Sequence, residues 1–451
     1  MLRLNVAKFG GTSVANFAAM QRCAQVVINN PNTRIVVVSA SAGVTNLLVR
    51  LAIGGHSELA RNELIEQIQE IEFALLNSLD KPDVIRNELM LLLEQLGQAA
   101  ADPDLAHSLR LKDQLLSFGE RMSSLIFTQV LNQCGDLHAL NFDVREVIKT
   151  NSQHGGAKPN TALIKTQAEE LMTSLLSEHV LVTQGFIGSD ELNNTTTLGR
   201  GGSDYSAAIL AEALSAETLH IWTDVSGIFT TDPRIASGAR PIPELTFDEA
   251  AEMATFGAKI LHPATLIPAI RSDIKVFVGS SREPELGGTW ISKEVENKPA
   301  FRAIALRREQ VLVTLKSPDM LHATGFLASV FSLLAQHEIS VDLITTSEIS
   351  VALTIDEPQN GTSKKLSKDL IEKLEALCEV KIEDDLSLVA VIGNQLQSRE
   401  GVASKILSVM PSCNVRMICH GASSNNFCFL VNGKEAEGIV ESLHKTLFET
   451  A

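Results

Sequence analysis

Aromatic side chains are scarce in this 451-residue chain, with one Tyr and two Trp, so no platform for stacking nucleobases is suggested. Positive charge is in deficit. Lys and Arg number 38 against 54 Asp and Glu, and the formal net charge of −16 argues against nucleic acid or an anionic membrane as partner. A phosphate site in such a chain has to be made locally, by a few placed cations. No apolar run reaches the roughly 18 residues of a membrane span. The N-terminus opens into a strand candidate, Leu2–Ala7, instead of a signal peptide. The six Cys lack CxxC or zinc-like spacing, which points to reduced thiols used as small apolar residues in a cytoplasmic protein. The P-loop string G-x-x-x-x-G-K-[ST] is also missing. What remains is ordinary globular composition, 45% hydrophobic and 20% charged, at a length that holds two or three domains.

Against that background Thr195–Leu210, TTTLGRGGSDYSAAIL, stands out. A β-branched run at Val180–Ile187 reads as a buried strand ahead of it. Ser203 or Asp204 reads as the cap of a helix whose apolar face is Ala207, Ala208, Leu210, Ala211 and Leu214. Glycines at 199, 201 and 202 let backbone N–H groups approach a ligand, and the helix N-terminus adds partial positive charge. Arg200 contributes a planar cationic fork suited to carboxylate or phosphate. Alone, the loop could equally be a glycine turn. Two more strands end in small-residue loops: Leu2–Ala7 runs into Lys8-Phe9-Gly10-Gly11-Thr12-Ser13, and Ile35–Val38 into Ser39-Ala40-Ser41-Ala42-Gly43-Val44-Thr45. Three such loops suit an open, mainly parallel α/β sheet with its ligands beyond the strand ends. Glu58–Ala101 reads as a helical hairpin broken near Pro82. Leu109–Gln133 reads as one helix, with a mid-helix Gly119 that suggests close approach of another group.

The string T-T-x-L-G-R-G-G-S-D-x-[ST]-A resembles the signature loop of aspartokinases within the amino acid kinase family, and five further segments agree in order. KFGGTS at 8–13 is similar to the family's opening, and the 37–46 loop to its threonine loop. Ser117–Ser123 matches S-x-G-E-x-[ML]-S, and Trp222–Arg234 matches W-T-D-V-x-G-[IV]-[YF]-T-x-D-P-R. F-G-A-K-I-L-H-P at 256–263 completes the set. The resemblance implies an ATP-dependent kinase acting on the side-chain carboxylate of aspartate, with ATP and Mg2+ as cofactors. By the same resemblance Lys8 stabilises the phosphoryl group in transfer. Asp204 would hold Lys8 in place, and Glu120 and Arg200 would receive the ammonium and a carboxylate of aspartate. Ser39, Thr45, Gly201 and Ser203 complete the substrate set. Gly10, Gly11, Thr223, Asp224, Phe229, Arg234 and Lys259 join Lys8 on ATP, whereas His262 reads as structural and no metal ligand is assigned. Ser226 and Phe229 depart from the Pro and Tyr of many relatives, and Phe229 cannot make a hydroxyl contact. Two rivals stay open, a glutamate-type kinase of the same fold and a catalytically silent amino-acid sensor.

Residues 1–282 are expected to form the kinase domain, with 283–299 as linker and 300–451 as regulatory region. Beyond the linker the chain repeats itself at an offset of 76 residues: Leu312 aligns with Leu388, Gly325 with Gly401, Val341 with Met417 and Ser347 with Ser423. Each copy reads strand, helix, strand, strand, helix, the ferredoxin-like plan. Copies at about 311–386 and 387–451, placed after an amino acid kinase, resemble ACT domains. In aspartokinases the first copy is inserted in the second, so strand Arg302–Leu306 is expected to pair with the last copy. Association into a homodimer or dimer of dimers is expected through these repeats. The string S-V-D-L-I-T-T-S-E at 340–348 is similar to that of lysine-inhibited aspartokinases. It implies L-lysine as effector, bound by Ser340, Val341, Asp342, Ser347 and Glu348 and closed over by Met320, Gly325, Phe326 and Leu327. The two acids are expected on the two strands of a hairpin; the second copy carries Ile418 and Ser424 instead. No dinucleotide fingerprint follows the repeats, so no fused homoserine dehydrogenase is expected.

Overall fold

Every residue of the run Asn5–Phe9 (β1) is buried, as a strand covered on both faces requires. The computed structural model describes residues 3–135, 137–257, 261, 263–320, 324–355, 366–410 and 413–449. Met1–Ile228, Pro241–Phe247 and Ile260–Val295 form one unit; Phe229–Arg240, Asp248–Lys259 and Glu296–Ala451 form a second.

In the first unit β1 is joined by β2 (Thr33–Val38), β3 (Ala139–Phe142) and β4 (Val180–Gln184). A small antiparallel pair follows, β5 (Ile187–Ser189) and β6 (Thr195–Thr197). Then come β7 (Thr218–Thr223), β8 (Glu244–Thr246), β9 (Lys275–Ser280) and β10 (Gly288–Ser292). The main sheet runs β3-β4-β2-β1-β7-β9-β10-β8, with β10 antiparallel to β9 and the other pairs parallel. Gly288–Ser292, inside the stretch expected as linker, is therefore a sheet strand. The strand order reverses at β1: β2 lies on one side of it and β7 on the other. That switch opens a crevice beyond the strands' C-terminal ends, where ligands of such sheets bind.

One face is covered by α1 (Phe17–Ile28), α2 (Val44–Leu51), α3 (Glu58–Leu76), α4 (Asp83–Ala100), α5 (Leu109–Leu116) and α6 (Phe118–Cys134). Their buried side chains share one core with Phe9, Val36 and Val38. The expected single helix over Leu109–Gln133 is two, α5 and α6, meeting at Ser117. The Ser117 hydroxyl donates to the Gln114 carbonyl at 2.7 Å, a local bond that competes with the helical ladder. The strand expected over Val180–Ile187 ends at Gln184, because Phe186 adopts a φ of 72°. Elsewhere in this unit α8 (Gly202–Ala213) packs on β1 and between α7 (Thr161–Leu171) and α10 (Pro263–Ser272).

The second unit strings β11 (Phe301–Lys316), α11 (Phe326–Gln336), β12 (Val341–Thr346), β13 (Ser350–Ile355), α12 (Lys368–Glu375) and β14 (Glu379–Gly393). The second copy follows as α13 (Val402–Leu407), β15 (Met417–His420), β16 (Asn426–Asn432) and α14 (Ala436–His444). The antiparallel sheet runs β12-β13-β11-β14-β16-β15. Ala303–Leu306 pairs with Val389–Ile392, the pairing that an inserted first copy requires, and Val311–Lys316 of the same strand pairs with β13. Each copy has its own core. Gly325 and Gly401, aligned by the repeat, both cap a helix in the left-handed region, at φ 92° and 76°. Within this unit Glu249, on α9 (Phe247–Thr255), accepts a 2.7 Å bond from Arg302, both side chains being almost fully buried.

Candidate active site and effector region

The C-terminal ends of the central strands are in register: Phe9 lies beside Val38 and Trp222, Val38 beside Gln184, and Trp222 beside Gly279. The loops after these strands are stitched to one another. Ser39 N–H donates to Phe9 O at 3.1 Å, Gly185 N–H to Val38 O at 2.9 Å and Ser281 N–H to Thr223 O at 2.9 Å. Gly10 spends its N–H on Trp222 O at 3.2 Å, so it offers a ligand space instead of a donor. A Cβ at Gly10 would sit 3.5 Å from the Lys8 ammonium, and one at Gly11 would meet Ala40 O at 3.1 Å.

Lys8, on β1, is 8% exposed, and its Nζ lies 2.6 Å from Asp204 Oδ1. Asp204 stands in the first turn of α8. The cap of that helix is Gly201, in the left-handed region at φ 72°, and no side chain caps it. Ser203 and Asp204 are thus not the caps expected from the sequence: left-handed glycines at 199 and 201 carry the chain round the corner, freeing Asp204 for Lys8. The loop is pressed onto the end of β4. Cβ atoms at Gly202 and Gly185 would come within 2.7 Å of Phe186 and 2.5 Å of Ser203. Phe186 is a residue that sequence reasoning missed. Its φ of 72° is unfavourable for a bulky side chain and marks a strained site. The Ser206 hydroxyl accepts its N–H at 2.9 Å, and its carbonyl accepts from Leu198 N–H at 2.8 Å.

Glu120, 5% exposed on α6, accepts the Ala40 N–H at 3.2 Å. The close approach expected at Gly119 is present, since a Cβ there would meet Ala40 Cβ at 2.7 Å and Leu48 Cδ1 at 3.0 Å. Burial pushes the Glu120 carboxyl up to about 7, opposed by the Ala40 N–H and by the charge of Lys8. Asp113, also missed by sequence reasoning, is a buried hub on α5. It accepts from the Thr197 hydroxyl at 2.6 Å, Thr197 N–H at 3.2 Å and Gly155 N–H at 3.0 Å, and pairs with His154 Nδ1 at 2.9 Å. It ties the strand entering the Gly199–Gly202 loop to the helix that precedes Glu120. Ser39 is half-buried, and Thr45 and Arg200 are exposed. Thr223 ends β7, its hydroxyl 3.2 Å from Asp224. Phe229 and Arg234 belong to the second unit, where Arg234 is held by Asp232 at 2.6 Å. Lys259 and His262 lie outside the described residues. All six cysteines are free, in line with the absence of paired spacing.

Beneath the 39–45 loop, Glu72 of α3 is completely buried, which pushes its carboxyl up to about 8. A carboxyl that titrates above its ordinary 4.5 keeps in the folded chain a proton that the unfolded chain has lost. Its contribution therefore makes stability fall as pH rises from about 4.5 to about 8. In urea unfolding, the parent should lose stability relative to Glu72→Gln between about pH 5 and about pH 8. A difference constant over that range contradicts the assignment.

In the second unit, Asp342 on β12 is largely buried and pairs with Arg307 Nη1 at 2.9 Å. Glu348 is exposed in the turn between β12 and β13, not on a strand as expected, because the Ser347 and Ser350 hydroxyls, 2.7 Å apart, close the hairpin around it. Gly325 caps α11, Phe326 and Leu327 form its first turn, and Met320 is half-buried. Val341 is half-buried at the start of β12, and Ser340 and Ser347 are exposed.

The amino acid kinase family model matches residues 3–280, and an ACT domain model matches 313–364 and 389–447. The chain is 53% identical over 451 residues to lysine-sensitive aspartokinase 3 of Escherichia coli K12, covering 100% of both. Two solved structures of E. coli aspartokinase III are 54% identical to it, each covering 99% of this chain and 100% of that chain. The TM-score is 0.90 for the complex with aspartate and ADP (R-state) and 0.85 for the complex with lysine and aspartate (T-state). Fold and site thus define an amino acid kinase followed by ACT domains. The chain belongs to the aspartokinase family.

Proposed function

We propose that the chain transfers the γ-phosphoryl group of ATP to the side-chain carboxylate of L-aspartate, and that L-lysine inhibits it through the first ACT repeat. The observation that carries the catalytic half is the buried Lys8–Asp204 pair at the sheet's switch point, with Glu120 within electrostatic reach. The attacking group is a carboxylate, ionised at neutral pH, so no general base is needed. Catalysis then rests on positioning and on neutralising charge that spreads over the transferred oxygens. Asp204 keeps the Lys8 ammonium aimed until the phosphates arrive. ATP enters as its Mg2+ complex. The ion would be carried mainly by phosphate oxygens and water. Copies of the chain associate through the ACT repeats.

Aspartate presents one ammonium and two carboxylates, and a fixed anion with a fixed cation can select it: Glu120 takes the ammonium and Arg200 the α-carboxylate. Glu120→Gln keeps an oxygen to accept the Ala40 N–H while removing the charge. It should raise the aspartate KM about tenfold or more, some 1.4 kcal/mol, with the ATP KM moving little. Equal effects on both substrates would point to a folding role instead.

A further inference from the structure

Phe229 and Arg234, which the family resemblance assigns to ATP, lie in the segment Phe229–Arg240, and that segment is built into the second unit with the ACT repeats. Ile235 of the segment packs on the core that contains Leu443 of α14 and Leu447. Apolar packing has no direction, so alone it would let the segment slide. Directional bonds pin it at Thr230. Thr230 N–H donates to Arg240 O at 2.9 Å, and Thr230 O accepts Ile304 N–H at 2.7 Å. The Thr230 hydroxyl accepts Arg240 N–H at 3.0 Å and lies 2.8 Å from His444 Nε2. His444, the last residue of α14, is 0% exposed. Its Nδ1 lies 2.9 Å from Glu449 Oε1, and its ring stacks on Phe448 with centroids 4.9 Å apart.

The Thr230 oxygen already accepts from Arg240, so its own proton points to His444 Nε2. The imidazole proton then sits on Nδ1, towards the Glu449 carboxylate. The end of the chain meets the same segment twice more. Phe448 O accepts from Arg240 Nη2 at 3.2 Å, and a Cβ on Gly238 would come within 2.1 Å of Glu449 Oε1. These residues belong to a π turn, Lys445–Glu449, a rare form that recurs at functional sites. A hydrocarbon at 444 would fill the core and need no partners, whereas a buried imidazole is costly unless its nitrogens are bonded. What the imidazole adds is position. We propose that His444 is a positioning residue for the nucleotide: held by Glu449, it fixes Thr230 and with it the backbone that presents Phe229 and Arg234 to ATP. This rests on the reading of those two residues as ATP contacts.

The test uses the full-length enzyme with His444→Asn, His444→Gln, Thr230→Val, Thr230→Ser and Arg234→Ala, reading melting temperature, kcat and both KM values. In His444→Asn the amide takes the place of Nδ1, keeping Glu449 and losing Thr230. In His444→Gln it takes the place of Nε2 and keeps Thr230. His444→Asn should therefore raise the ATP KM about fivefold or more while the aspartate KM stays within about twofold. His444→Gln should stay within about twofold of the parent on both substrates. Thr230→Val, at a half-buried position, removes the hydroxyl without touching α14. It should raise the ATP KM at least as much, and adding His444→Asn to it should do no more. Thr230→Ser retains the hydroxyl and should behave as the parent. An unchanged ATP KM in His444→Asn and Thr230→Val, with Arg234→Ala impaired on ATP, overturns this inference alone. If Arg234→Ala is unimpaired as well, the reading of the segment falls with it. Equal rises in both KM values that track a lower melting temperature mark a folding role and overturn the inference, as does His444→Gln impaired as much as His444→Asn.

Discussion

Lys8→Ala should lower kcat by two orders of magnitude or more, about 3 kcal/mol, with a smaller change in the aspartate KM. The size follows from where the ammonium stands. Lys8 is buried at the end of the central strand, and a charge acting in a dry site is worth far more than one in water. Asp204 pairs with it at 2.6 Å, so the cation is aimed before substrate arrives and little reorganisation is left for the transition state. Truncating it also strands the Asp204 carboxylate in a largely buried place, which costs stability. A melting curve must therefore accompany the kinetics. A folded Lys8→Ala enzyme with near-normal kcat would remove Lys8 from the chemistry.

Lysine sensitivity should collapse in Asp342→Ala, the concentration for half inhibition rising tenfold or more, about 1.4 kcal/mol of lost coupling. Lysine brings a carboxylate and two ammonium groups, and its site needs an anionic end. Asp342 supplies one on an edge strand of the regulatory sheet, where it already holds the Arg307 guanidinium at 2.9 Å. An incoming ammonium has to share or take over that carboxylate. Glu348 lies exposed in the turn, where solvent screens it, so Glu348→Ala should shift the curve less. The second copy has Ile418 and Ser424 at these places and cannot substitute. Lysine's leverage is bounded by its differential affinity for the active and inhibited states. If both variants respond to lysine as the parent does, or threonine inhibits in its place, the effector assignment is wrong.

The sequence carries this much of the site because the local chemistry is local in the chain. Lys8 before two glycines and Asp204 behind a glycine loop each sit at a strand or helix end that the pattern locates, and Glu120 follows Gly119, a glycine that stands out inside an expected helix. The repeat at offset 76 likewise announces two copies of one plan, and the long strand β11 pairs with both β13 and β14. What escapes is whatever depends on what lies opposite. Glu72 reads as one more acid on a helix rich in them, and only the packing reveals it buried under Ser41. Asp113 looks like an ordinary helical charge until Thr197 and Gly155 arrive from beyond residue 150 to bond it. Phe186 reads as one more strand residue, because the corner after Gln184 is imposed by the loop pressed against it. The split of Leu109–Gln133 falls at Ser117, whose hydroxyl turns back on the Gln114 carbonyl, and no pattern of the sequence announces it.

The central claim is a phosphoryl transfer to aspartate that lysine restrains. It is tested most directly by trapping the acyl phosphate as its hydroxamate, with ATP and either aspartate or glutamate, in the presence and absence of lysine or threonine. The account predicts product from aspartate and little from glutamate, suppressed by lysine and not by threonine. Product from glutamate at a comparable rate, or none from aspartate, would contradict it.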